Sequence, residues 1–355
     1  MMSAPYSARL TTQGGAGLTI NIAVATRDAI ILGCDSLSSV VETAAFPLRQ
    51  GIGFAKDHEG NEILDAEGRR LVPVGNLRSV VTNVYGGVSK MFPLYECDGF
   101  SVAAVTAGKA TLNGLTIAEW AKRFCSQRRG DRFAEVSAVA QAFLDYIRRE
   151  WETDVDFANT DPSLRNLLPP LQFIVAGHCE QDNFGRVFKL DVAAPTCHDV
   201  FPSGDHCGAT WAGQSDFVER LLLGVDHGVR SSVQNQFDQS VQETTTRVLT
   251  TMVESLTKSG VVIPEGFEVD LAGAPARPLW DAAQTDVQFQ DLSTQYAIEF
   301  VELLVNTQSG MQRFGSGIPT VGGRTHIGVL RRGEGFKMLN EPELTHSHTG
   351  YSHDL

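Results

Sequence analysis

Thr19 to Asp35 reads TINIAVATRDAIILGCD, and this stretch decides the fold. Ile20, Ile22 and Val24 alternate with Thr19, Asn21 and Ala23, the period of a strand with two distinct faces. A second apolar run, Ala29 to Cys34, follows across Arg27-Asp28, so the pattern predicts a β-hairpin closed by a tight polar turn. Two strands of this length bring Asp35 back to the start of the first. Thr19 and Asp35 are therefore expected as neighbours in space although sixteen positions apart.

Two further motifs lie downstream, Ser89-Lys90-Met91-Phe92 and Thr106-Ala107-Gly108. At these residues and in the first hairpin the sequence resembles the proteasome β-type subunit family of N-terminal-nucleophile hydrolases, the branch that includes bacterial HslV-like proteins. In that family the first strand starts on the nucleophilic Thr, turns through a Lys/Arg-Asp pair and ends on an acidic residue at the Thr19-to-Asp35 spacing. Lys90, followed by an apolar residue and Phe, looks like the catalytic lysine, and Gly108, at the end of a strand, looks like the oxyanion-hole glycine. The similarity continues in weaker form over most of the chain. It departs at Leu18, where the family usually has Gly, and at Gly213, where it usually has a Ser that orders the nucleophile's amine. Ile318 and Val321, before Gly322-Gly323, stand in place of an Asp and a Ser.

The resemblance implies an α+β fold, a four-layer αββα sandwich with two insertions at about residues 40–77 and 225–290. A leader of residues 1–18 would precede a single domain of residues 19–340 and a polar tail of residues 341–355. It implies a self-processing threonine peptidase or amidohydrolase with Thr19 as nucleophile, needing no cofactor and no metal. A threonine hydroxyl inside a chain lacks a base, but cleavage before Thr19 frees an α-amine with an ordinary pKa of about 7.7 to 8.0 to take its proton. Lys90 would supply positive charge near that hydroxyl, Asp35 would pair with Lys90, and the Gly108 N–H would donate to the developing oxyanion. Thr106 and Ala110, flanking the oxyanion glycine, would line a small, weakly polar first pocket, and Ser215 is a displaced candidate for the supporting serine. Peptide or unfolded-protein substrates, a ring-like homo-oligomer and an unfoldase or cap partner follow from the same likeness. Singly, Thr19 reads as a strand threonine, Asp35 as a turn residue and Lys90 as a surface lysine. Their joint occurrence carries the reading. The competing reading is a non-catalytic structural or assembly subunit of the same fold, motivated by the departures at Leu18, Ile318 and Val321.

Composition is consistent with this class. The 355 residues are 42% apolar, enough for a substantial core. A net charge of −13, from 42 acidic and 29 basic residues, argues against nucleic-acid or anionic-membrane binding, since both need basic surface. No run approaches the about 18 apolar residues of a membrane-spanning helix, and the first residues lack the layout of a signal peptide, so the expected location is the cytoplasm. The six cysteines show no CxxC spacing and read as small buried hydrophobes. His178-Cys179, Cys197-His198 and His206-Cys207 leave a zinc site open as an alternative, although adjacent residues on a strand face opposite ways and each pair offers one ligand to a common site.

Elsewhere the sequence predicts elements in series. Gly14-Gly15-Ala16-Gly17 marks a flexible leader and not a phosphate loop, since no Gly-Lys-Ser/Thr follows. The turn-like clusters Asp57-His58-Glu59-Gly60-Asn61 and Asp65-Ala66-Glu67-Gly68 predict an inserted hairpin. Strands are expected at Arg78–Tyr85, Ser101–Thr106, Leu171–Ala176, Arg186–Asp191, Cys207–Ala212, Thr325–Leu330 and Phe336–Leu339. Helices are expected after the capping pair Thr116 and Glu119, at 132–152, after Ser215 as N-cap, around Val248 to Leu256, and at 292–306. No internal repeat and no linker imposing a two-domain split is apparent. The tail's His346, His348 and His353 read as a polar end.

Overall fold

The alternation in the first hairpin becomes two buried strands in the computed structural model, which describes residues 10–11, 19–45, 54–71, 77–162, 165, 168–202, 206–262, 284–315 and 318–340. The expectations for the leader at residues 1–9 and 12–18, for parts of both insertions and for the tail lie outside the described residues. The chain opens with strands β1 (Leu10–Thr11), β2 (Ile20–Ala25), β3 (Ile30–Cys34), β4 (Ser38–Ala45) and β5 (Leu77–Tyr85). Next come β6 (Met91–Cys97), β7 (Phe100–Gly108), the short β8 (Thr111–Leu112) and β9 (Leu115–Thr116), and helices α1 (Ile117–Gln127), α2 (Val136–Thr153) and α3 (Val155–Asn159). Then follow β10 (Leu171–His178), β11 (Arg186–Asp191), β12 (Thr196–Asp199), β13 (Gly208–Gly213), α4 (Asp216–Leu223) and α5 (His227–Lys258). The series closes with α6 (Thr294–Gln312), β14 (His326–Arg331) and β15 (Gly335–Met338).

Two sheets result. One has the spatial order β1-β13-β2-β3-β14-β15, the other β12-β11-β10-β7-β6. In the first, β2 and β3 pair antiparallel from Asn21↔Cys34 to Ala25↔Ile30, and the Thr26 hydroxyl closes their turn by accepting from Ala29 N–H at 3.2 Å and donating to its carbonyl at 3.1 Å. Ala23, Leu32 and Cys34 on the inner face pack with Ala103, Val105 and Ile174 of the second sheet. Small and branched side chains there let the sheets approach face to face.

Each outer face carries helix. On the second sheet Phe173 meets Phe143 of α2 edge-on at 5.0 Å, and Phe143 meets Phe124 of α1 at 5.2 Å, within a core that also holds Trp120 and Trp151. Burying side chains of this size contributes about 1.5–3 kcal/mol each. On the first sheet α6 lies against β2 and β3 so closely that a Cβ at Gly33 would stand 2.3 Å from Val301 Cγ1. The helix faces follow the expected periods: Ile117, Trp120, Ala121 and Phe124 of α1 are buried, as are Val139, Phe143, Ile147 and Trp151 of α2. Thr116 caps α1 by accepting from Glu119 N–H.

Several elements differ from expectation. The first four residues expected in α2 precede it, α5 begins well before Val248, α6 runs on to Gln312, and β4, β6, β12, α3 and the short β1, β8 and β9 were not foreseen. The insertion is flanked by β4 and β5, which pair antiparallel, and its turn-like clusters form not one hairpin but two successive bridged turns, Lys56↔Glu62 and Leu64↔Arg70. Asp57 accepts from the N–H groups of Glu59 and Asn61, and Asp65 repeats this eight residues on with Glu67 and Arg69. Gly60 and Gly68 adopt the left-handed conformation at equivalent places. A short internal repeat is therefore present, missed because outside Asp, Glu and Gly the two copies share little.

Ser215–Gln288, holding α4 and α5, forms one compact unit, and the other described residues form a second that contains all the strands, both large sheets included. No residue of the 32-residue α5 is buried. Among the described residues, no helix is long and apolar enough to cross a membrane.

Candidate active site

The hairpin that decides the fold also builds the site. Thr19 immediately precedes β2 and Asp35 immediately follows β3, so antiparallel pairing places them side by side. The Thr19 hydroxyl donates to Asp35 Oδ1 and accepts from the Lys90 ammonium, which in turn donates to Asp35 Oδ1 at 2.8 Å. Lys90 arrives from the other sheet, just before β6, and is fixed by the bond from Thr106 N–H to its carbonyl at 3.0 Å. Thr19, Asp35 and Lys90 are all at least nine-tenths buried.

Burying a carboxylate and an ammonium is costly unless their hydrogen-bonding capacity is met. Asp35 Oδ1 also accepts from Ile20 N–H at 3.1 Å, and Oδ2 accepts from Leu37 N–H at 3.2 Å and Gly322 N–H at 3.1 Å. The Gly322 carbonyl takes Ser36 N–H, and Ser36 Oγ takes Arg324 N–H at 2.7 Å. The loop before β14 thus clamps Asp35 through backbone groups. Val321 is fully buried and Ile318 is exposed, so neither supplies a polar group at the place the resemblance gives to Asp and Ser.

Gly213 explains another departure. Its φ is +84°, and a Cβ there would lie 2.0 Å from the Thr19 carbonyl oxygen. Gln214 N–H donates to that same oxygen at 2.6 Å. Thr19 is therefore seated directly on a backbone turn that excludes a side chain at 213. Ser215 opens α4 without a side-chain capping bond; its hydroxyl donates to Glu219 at 2.8 Å.

A cavity of about 260 Å³ is lined by Thr19, Lys90, Thr106, Gly108 and Ala110 among others. The sequence-derived candidates other than Asp35 and Ser215 thus share one space, with Asp35 beneath Thr19. Leu37, Tyr85, Val88 and Ile117 complete a largely apolar wall. Sequence reasoning missed these because they come from separate elements and carry no motif. It missed Gly322 and Leu37 as supports of Asp35 because a backbone N–H has no sequence signature.

No protein-family model matches this chain, and no curated protein matches it. Among solved structures, an Anbu mutant from Hyphomicrobium sp. strain MC1 has a TM-score of 0.45 and 10% sequence identity, covering 93% of this chain and 89% of that one. At that score the likeness decides nothing about function, and the site is read from its own side chains.

Cys34, next to Asp35, does not compete as a nucleophile: burial pushes its thiol up to about 12, with Lys90 opposing and Asp35 reinforcing, so it stays protonated. The three His/Cys pairs do not converge. Cys179 packs in the helix-side core while His178 lies beside Gly185, and among the described residues no three metal-ligating side chains come together. Chemically, the arrangement presents one hydroxyl, polarised between an ammonium and a carboxylate, to an apolar cavity.

Proposed function

We propose that this chain is a self-processing threonine peptidase or amidohydrolase of the proteasome β type, built as an αββα sandwich, with Thr19 as nucleophile after cleavage of the bond before it. The observation that carries this reading is the Thr19 hydroxyl held by Lys90 and Asp35 at the edge of a cavity large enough for a side chain. Once freed, the Thr19 α-amine takes the hydroxyl proton, and the Lys90 charge favours the alkoxide developing on Oγ1. Asp35 holds Lys90 and offsets the cost of burying it. The Gly108 N–H receives the oxyanion, a contribution worth about 3–4 kcal/mol in comparable sites. Thr106 and Ala110 receive the residue before the scissile bond, and the apolar wall selects apolar over basic side chains there. Substrates are peptides or unfolded segments, delivered to a homo-oligomer by an unfoldase or cap protein.

Intact mass analysis of purified protein tests the reading directly. A chain beginning at Thr19, cleaving apolar fluorogenic peptides and losing about 10³-fold or more in kcat as Thr19→Ala, is expected. A second reading, a non-catalytic assembly subunit, is favoured by Gly213 and Val321, which leave out side chains that assist the nucleophile in the family. Full-length mass retaining residues 1–18, with no hydrolysis, decides for it.

A further inference from the structure

The cavity wall that carries Gly108 is a single continuous segment, running through the β8–β9 hairpin into α1, and it is held from behind by a buried ion pair. Gly108 has φ +98°, a Cβ on it would lie 1.7 Å from the Pro170 carbonyl oxygen, and Lys109 N–H donates to that oxygen at 2.8 Å. The chain turns hard at this point, and the Lys109 side chain is drawn to the C-terminal end of α2. Its ammonium donates to Asp154 Oδ1 at 2.6 Å and to Asp156 Oδ2 at 2.5 Å. The other oxygen of Asp154 accepts from Asn113 N–H at 2.9 Å. Asn113, left-handed at φ +48° without being glycine, is held there by bonds from its amide to the Glu150 carbonyl and the Thr153 hydroxyl, both at 3.1 Å. One carboxylate thus ties both ends of the segment 109–113.

The Lys109 and Asp154 side chains are 13% and 8% exposed, and apolar residues would serve stability alone as well as a pair so deeply placed. What an apolar pair would not supply is direction: a charge-assisted bond fixes where the segment lies. We propose that Asp154 is a positioning residue, acting through Lys109 and Asn113 to hold Gly108 where its N–H meets the oxyanion. This rests on the reading of Thr19 as nucleophile. Asp154 touches no reacting atom. Its effect belongs to the transition state, so its loss lowers kcat and leaves KM nearly unchanged.

The experiment compares wild type, Asp154→Asn and Lys109→Met in the full-length protein, reading peptide hydrolysis and amide hydrogen exchange across residues 108–114. Lys109→Met removes the same bridge from the other end and serves where Asp154→Asn folds poorly. Expected in both variants are a fall in kcat of at least tenfold, a KM within threefold of wild type, and exchange in 108–114 at least tenfold faster, with β2 and β3 unchanged. Asp156→Asn, which loses only the exposed partner, keeps wild-type kcat. Unchanged exchange in 108–114, or faster exchange with unaltered kcat, overturns the inference. A wild-type chain that cleaves nothing overturns the function proposed above and this inference with it, whereas an active wild type with unaltered kcat in both variants overturns the inference alone.

Discussion

Thr19 Oγ1 has an ammonium on one side and a carboxylate on the other, and each of those charges is tolerable only because of the other. Lys90→Met removes the cation and leaves Asp35 buried among backbone donors, so it is expected to cost about 3–5 kcal/mol in urea denaturation as well as activity. Gly213 makes a different demand. Gly213→Ser introduces a hydroxyl at the turn that seats Thr19, yet the left-handed backbone alone costs about 1–2 kcal/mol and the new Cβ collides with the Thr19 carbonyl. A lower melting temperature and lower hydrolysis than wild type are expected; a gain in activity would show that Thr19 is not seated on residue 213. That Thr19, Asp35 and Lys90 meet, with Gly108 on the same cavity, was expected from the sequence only through the resemblance that their short strand-end motifs carry jointly. Gly322, 287 positions from Asp35, was not, because its contribution is an N–H that every residue but proline has.

At the scale of elements, period decided what could be read. The stripes of α1 and α2 repeat cleanly because one side of each meets a core, whereas β2 and β3 are covered on both faces and read as strands by their short apolar runs across a polar turn. The strand β6 was hidden by Pro93, beside which its register with β7 shifts and its alternation breaks. For α5 the sequence shows apolar residues at helical spacing, yet Val229, Val248, Met252 and Leu256 are exposed and no residue of the helix is buried. A helix without tertiary burial has little stability beyond local propensity. Its amides are therefore expected to exchange much faster than those of β2 and β3 in dilute protein, and, on the homo-oligomer proposed above, to gain protection as concentration rises. Full protection of α5 at the lowest concentration would contradict both expectations.

At the scale of the whole sheet-containing unit, stability depends on what lies between the sheets. His178 on β10 shares the face of Ile174 and Ala176, and His326 on β14 shares that of Leu330, so both point into the space between the sheets. Both are buried, and no ring nitrogen of either has a hydrogen-bond partner among the described residues. Burial, reinforced by Arg332, pushes His178 down to about 4; burial likewise lowers His326, against the pull of Asp35 and with Lys90 and Arg324 reinforcing. The His178 ring is therefore neutral in the folded protein at pH 6, where the unfolded chain already binds protons near its ordinary 6.5. Acidification then favours the unfolded state, beginning at 6.5 and continuing for His178 down to about 4, a total of about 3 kcal/mol from that one ring. Asp154, which burial would raise but which its bonds from Lys109 and Asn113 hold below the usual carboxylate range, loses its contribution only at lower pH. Urea midpoints at pH 7.5, 6.0 and 5.0 separate the two windows, since ordinary carboxylates titrate at about 4. A midpoint that falls steadily across that series, and falls less in His178→Gln, is expected. Equal midpoints at pH 7.5 and 5.0 would mean that these rings take up protons without unfolding, and that the space between the sheets is not dry.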